Sequence, residues 1–172
     1  LERRLLTGDP AMAAPVVVDG DDPTGVADAP AHRAPPPPAP FIGRDAELRT
    51  LAAALVGPDH GRRVAVYGPP GVGKTALALA VADALPDRHP DGQIFLDLPG
   101  PAGPADVLGL LLRALGPAGA RMPDGVPERS VMLRRLVAGR RILLILDGVT
   151  GEAQVRPALT ARWAGVLLTS RP

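Results

Sequence analysis

The sequence predicts an α/β domain in which a parallel sheet is covered on both faces by helices. Three observations carry that prediction. Short, predominantly apolar runs, Val64–Tyr67, Ile94–Leu98, Ile142–Leu146 and Gly165–Thr169, alternate with segments of helical periodicity. A strand without a polar face is one buried on both sides, which is the habit of parallel sheets. The first run leads through a glycine-rich loop into an alanine-rich helix, and the third ends in a carboxylate, Asp147.

Along the chain the elements follow in order. Residues 1–14, LERRLLTGDPAMAA, open with a short helical fragment stopped by Gly8-Asp9-Pro10 and are expected to be the tail of a preceding helical domain. Residues 15–40 carry Asp19-Gly20-Asp21-Asp22-Pro23 and the run Pro35–Pro38. Such a stretch buries too little apolar surface to offset its ordering entropy, so a disordered, proline-stiffened linker is expected. From 41 to 172 the character is that of a folded core. Asp45–Leu55 places Leu48, Leu51, Ala52 and Leu55 on one helical face. Val64–Tyr67 is a strand, Lys74–Leu85 a helix closed by Pro86, Ile94–Leu98 a strand and Ala105–Leu115 a helix. Pro127 opens a helix with apolar positions Val131, Met132, Leu136 and Val137, and Gly139 caps its end. Ile142–Asp147 is a strand, about 152–159 a short helix, and Gly165–Thr169 a fourth strand.

Composition bounds the function. With 19 basic and 18 acidic residues the net charge is +1, so no global field draws the chain to nucleic acid or an anionic membrane. The pairs Arg62-Arg63, Arg134-Arg135 and Arg140-Arg141 read as solvated element ends. The absence of cysteine excludes disulfides and thiolate metal sites and fits a reducing cytoplasm, the expected location. His32, His60 and His89 are far apart, so no histidine metal site is expected. No apolar run approaches the ~18 residues of a membrane helix, and no membrane partner is expected. The first apolar cluster is broken by Thr7-Gly8-Asp9-Pro10, which argues against a signal peptide. The sequence lacks an initiator Met and stops at Ser170-Arg171-Pro172, as a piece of a longer protein would.

One lysine stands among 18 arginines, and it is Lys74 in Gly68-Pro69-Pro70-Gly71-Val72-Gly73-Lys74-Thr75. This is G-x-x-x-x-G-K-[ST] between a strand and a helix, the setting that a phosphate-binding P-loop requires. In the loop Gly68–Ala76 the backbone N–H groups of the residues other than Pro69 and Pro70 would cradle a β-phosphate, with the helix N-terminus adding positive potential. Lys74 would reach the β- and γ-phosphates, and Thr75 would ligate Mg²⁺. Asp147 ends a fully apolar strand, where ligands sit in open α/β sheets, and would hold the Mg²⁺ shell through water. Gly148 follows it where many hydrolytic relatives carry a second acid, so no base is evident there. Glu152, five residues on, is poorly placed to supply one. Arg171 closes the fourth strand. If that strand lies between the P-loop strand and the Asp147 strand, Arg171 faces a γ-phosphate and distinguishes triphosphate from diphosphate. The fold class is thus a P-loop NTPase, a three-layer α/β/α sandwich that stops after its fourth core strand.

Phe41-Ile42-Gly43-Arg44-Asp45-Ala46-Glu47-Leu48, then GPPGVGKTALA, DGQIFLDL, LLILD and LLTSR resemble the NB-ARC type of signal-transduction NTPase, the switch ATPases of the STAND class. The resemblance covers about 41–172. It implies that Ile42, Gly43 and Arg44 lie against adenine and ribose. Pro99 stands after Asp97-Leu98 where relatives often have arginine, so no ligand role is assigned to that segment. Gly148 in place of a second acid implies slow nucleoside-triphosphate hydrolysis at most. LERRLLTGDPAMA ahead of a proline-rich linker is in turn similar to the end of the bacterial transcriptional activator domain of actinobacterial SARP regulators.

The expected function is an ATP-binding regulatory switch. ATP with Mg²⁺ favours one state, which self-associates, and ADP favours the other; Lys74, Asp147 and Arg171 are the residues on which turnover depends. DNA would be contacted only through a domain outside this chain. Three alternatives stand beside it: an AAA-type ATPase that remodels nucleic acid or protein, a small-molecule kinase, and an NB-ARC switch coupled to a non-transcriptional effector.

Overall fold

A computed structural model describes residues 34–56, 62–98, 100–117 and 119–171. The expectations for 1–14 and for 15–33 lie outside the described residues. Residues 34–40 have no regular secondary structure, and Ala34 packs into the core beside the first two helices.

The described elements run α1 (Asp45–Leu55), β1 (Arg62–Tyr67), α2 (Lys74–Asp83), β2 (Gln93–Asp97), α3 (Pro104–Leu115), α4 (Val126–Val137), β3 (Leu143–Val149), α5 (Glu152–Val155) and β4 (Gly165–Ser170). The four strands form one parallel sheet in the order β1-β4-β3-β2. The last strand in sequence therefore lies between the P-loop strand and the strand carrying Asp147, the arrangement on which the role expected of Arg171 depends.

Alternation along each strand sends side chains to two cores. Ile94, Leu96, Leu144, Leu146 and Val166 pack under α3, α4 and α5, whereas Val66, Leu143, Ile145 and Leu167 pack under α1 and α2. Leu143 to Leu146 are all fully buried, as their unbroken apolar run requires of a central strand. Each such side chain contributes about 1.5–3 kcal/mol through removal from water. Polar groups at the interior edges are paired. Gln93 donates to Ala82 O at 2.8 Å, and Gln154 donates to Ala102 O while accepting from Thr150 N–H, both at 3.0 Å.

Three element expectations need correction. Helix α2 ends at Asp83, and the chain turns through a 3₁₀ segment at Pro86–Arg88 because proline at 86 cannot continue the helical ladder. The helix expected over 152–159 splits into α5 and a 3₁₀ turn, Ala158–Thr160, with Pro157 between them. On α4 the core contact is made by Leu133 together with Val137, while Val131 is 39% exposed. The helix begins at Val126, and its apolar stripe is displaced from the one expected.

His89 is buried between the turn after α2 and the start of β4, with Nδ1 3.2 Å from Leu85 O. Burial pushes its pKa below the usual 6.5; the Leu85 carbonyl opposes that shift and the Arg141 charge adds to it. The unfolded chain therefore takes up a proton below pH 6.5 that the folded chain resists, so stability falls as acid is added through that window. The urea midpoint should drop between pH 7.5 and 5.5, and the drop should be smaller in His89→Asn. An equal drop in both proteins would assign the acid sensitivity elsewhere.

Candidate functional site

Between β1 and α2 the chain turns at Gly68–Gly73. Gly71 and Gly73 have φ of 76° and 83°, the left-handed region that glycine enters without a Cβ penalty. Pro69, Pro70 and Gly71 are exposed, while Val72 is buried at 2% and pins the loop to the core. Gly73 is the N-cap of α2, so the first N–H groups of the helix, those of Lys74, Thr75 and Ala76, lack intrahelical partners and point toward the loop. The turn is a concave array of donors at a helix N-terminus, which is an anion site by construction.

Lys74 is 9% exposed and its Nζ donates to Gly68 O and Pro69 O, each at 2.9 Å. The ammonium is thereby held inside the loop with one of its three donors left over. Burial pushes its pKa below the usual lysine range, the Arg171 charge pushes the same way, and Asp147 opposes both.

Thr75 Oγ1 lies 2.9 and 2.7 Å from Asp147 Oδ1 and Oδ2 and donates to that carboxylate, across 72 residues of sequence. Thr169 Oγ1 also donates to Asp147 Oδ1, and it accepts from Gly148 N–H at 3.0 Å. Two hydroxyls from neighbouring elements thus orient one carboxylate at the C-terminal edge of the sheet. Hydroxyl and carboxylate oxygens are the donor set that suits Mg²⁺.

Gly148 has φ of 77° at a register shift between Leu146 and Val149, after which β3 pairs with β4 again at Ser170. A Cβ built there would be 3.5 Å from Leu98 O and 3.9 Å from Asp97 Oδ1. Both are ordinary contact distances, so glycine is favoured here by its φ, at which a second acid after Asp147 would be strained by roughly 1–2 kcal/mol. Asp97, at the end of β2, is the register partner of Asp147. Burial raises its pKa, Asp147 raises it further, and Arg171 opposes both.

The structure therefore brings together Gly68, Pro69, Pro70, Gly71, Val72, Gly73, Lys74, Thr75 and Ala76 with Asp147, and places Arg171 one residue past β4, within electrostatic reach of Lys74 and Asp97. Glu152 is turned away, 74% exposed and paired with Arg156 at 2.9 Å. The Arg44 guanidinium lies about 3.9 Å from the Cβ position of Gly73, and its Nη1 is buried with no partner among the described residues. Gly43 has φ of 83°, and Ile42 is 79% exposed at the outer rim. Sequence reasoning passed over Thr169 and Asp97. The signal for both was a polar residue ending an otherwise apolar strand, as at Asp147.

Fold and site together define a P-loop NTPase domain, a nucleotide-binding unit. The comparisons with known proteins agree. Residues 40–105 match the AAA ATPase domain family. The chain is similar to the Regulatory protein AfsR of Streptomyces coelicolor, 39% identical over 92% of this chain and 17% of that protein. It is likewise 40% identical to the Regulatory protein AfsR of Streptomyces griseus, over 99% of this chain and 18% of that one. A nucleotide-binding leucine-rich repeat (NLR)-like protein of Hyaloscypha variabilis is 45% identical over 32% of the chain. The chain is thus similar to AfsR regulatory proteins, and it spans less than a fifth of the length of those relatives.

Proposed function

We propose that this domain is the nucleotide-sensing switch of a transcriptional regulator, of the NB-ARC and STAND kind, binding ATP or ADP with Mg²⁺. The observation that carries the reading is the bond from Thr75 in the P-loop to Asp147 at the end of β3, formed beside the buried Lys74. The name of the relatives, Regulatory protein AfsR, supports a regulatory task for the longer protein.

In this reading Lys74 binds the β- and γ-phosphates as the N–H groups of Gly71–Ala76 surround them, and Thr75 and Asp147 hold Mg²⁺. The metal supplies charge neutralisation for the phosphates. Thr169 keeps the Asp147 carboxylate oriented. Arg44, whose buried Nη1 has no partner among the described residues, gives Ile42–Arg44 a polar contact to offer the nucleoside side of the ligand. Residues 1–14 belong to a preceding helical domain, 15–40 to a linker and 41–172 to the NTPase core. DNA is reached through a domain outside this chain, self-association accompanies the ATP state, and the setting is the cytoplasm.

A switch requires that one nucleotide favour one state, and differential contact with the γ-phosphate is what supplies that bias. Arg171 is the residue for it. Arg171→Ala should reduce the preference for ATP over ADP about tenfold, the worth of one charge-assisted hydrogen bond. Titrating both nucleotides in Mg²⁺ measures it, and an unchanged ratio removes Arg171 from the sensing role. Turnover in the parent chain should stay below about 1 s⁻¹, under the ordinary enzyme range. Faster hydrolysis would favour an AAA-type remodelling machine.

A further inference from the structure

Strand β2 ends in a carboxylate that the reading above leaves unused. Asp97 is exposed at the sheet edge, in register with Asp147 on the adjacent strand. Its Oδ1 lies 3.9 Å from the point where a side chain at position 148 would begin. An acid at that position would be strained, because its φ is 77°, in the left-handed region that a Cβ disfavours. Asp147 itself is occupied, accepting from Thr75 and Thr169. The site therefore has one carboxylate engaged in orienting contacts and a second, one strand over, bordering the space where hydrolytic relatives carry theirs.

We propose that Asp97 is the water-polarising residue of this domain, supplying from β2 the carboxylate that β3 lacks at position 148. The inference rests on the nucleotide-switch reading. Asp97 accepts a hydrogen bond from a water, whose oxygen attacks the γ-phosphorus. The new O–P bond forms as the bond from phosphorus to the β,γ-bridging oxygen breaks, and ADP leaves with that electron pair. One water proton passes to Asp97 and then to solvent; the other stays with the phosphate product. The Arg171 charge lies within electrostatic reach of both Asp97 and Lys74. Supply of the carboxylate from a neighbouring strand, rather than from the residue after Asp147, is consistent with slow turnover.

The test compares the parent chain, Asp97→Asn and Lys74→Ala in three measurements: affinity for ATP with Mg²⁺, single-turnover hydrolysis, and affinity for ADP with aluminium fluoride, which mimics the planar phosphoryl group with its water. Asp97→Asn should bind ATP within about twofold of the parent. It should hydrolyse about 100-fold more slowly, the usual contribution of a positioned general base. Its affinity for ADP with aluminium fluoride should fall at least about tenfold while that for ADP alone is unchanged. Parent-like hydrolysis and parent-like aluminium fluoride binding in Asp97→Asn would overturn the role of Asp97 and leave the nucleotide reading intact. A parent chain that binds ATP without any hydrolysis would overturn it too. Failure of the parent to bind ATP, or equal ATP binding by Lys74→Ala, would overturn the nucleotide reading itself.

Discussion

Replacing Lys74 with alanine is expected to weaken ATP binding about 100-fold while leaving the domain folded. The ammonium is held at 2.9 Å from two loop carbonyls, with a donor to spare for a phosphate oxygen. A charge-assisted hydrogen bond contributes about 1.5–3 kcal/mol, and each 1.4 kcal/mol is tenfold in affinity. The fold should survive, because desolvation of that ammonium opposes its charge in the native state and its removal relieves the opposition. Lys74→Arg should not restore binding, since a planar guanidinium does not fit a loop shaped around a compact ammonium. Titration with a fluorescent ATP analogue, alongside circular dichroism, separates affinity from folding. An affinity within threefold of the parent would remove the loop from the site.

The largest stability effect is expected at Trp163. The indole is 1% exposed in the core beneath α4 and α5, and its Nε1–H donates to Ala158 O at 3.0 Å. In a chain with 2% aromatic residues no other side chain of that volume fills this core. Trp163→Ala should cost about 3–5 kcal/mol, from lost transfer energy plus the cavity left behind. That is a large share of the roughly 5–15 kcal/mol that holds a domain together. Trp163→Phe should cost less, since most of the ring volume remains and the Ala158 carbonyl, though it loses the indole donor, keeps the Ala161 N–H. Urea unfolding followed by circular dichroism measures both. A loss under about 1 kcal/mol in Trp163→Ala would mean that the core closes around the gap.

Much of this architecture was legible because its signals are local. Four apolar runs became four parallel strands, and the loop between the first run and the alanine-rich helix is where the motif put it. The register of non-adjacent strands was not legible. Thr169 meets Asp147 only because β4 inserts beside β3, and Asp97 faces Gly148 only because β2 flanks β3 on the other side. Neither contact leaves a spacing in the sequence. The same holds for Arg44, whose guanidinium lies over Gly73, 29 residues away. On α4 the apolar residues Val131, Met132, Leu133, Leu136 and Val137 fit more than one stripe, and packing against α3 chose Leu133. The glycine at 148 read as a missing acid; the bulge and its positive φ give the physical reason for the absence.

The central claim is that a phosphate-cradling loop joins Asp147 to make one nucleotide site. Titrating the 172-residue chain with ATP, ADP and adenosine, each with and without Mg²⁺, tests it most directly. The account predicts one site per chain, ATP binding strengthened by Mg²⁺, and adenosine at least about 100-fold weaker because it lacks the phosphates that the loop and Lys74 engage. Adenosine binding as tight as ATP, or ATP binding indifferent to both Mg²⁺ and Lys74, would contradict it.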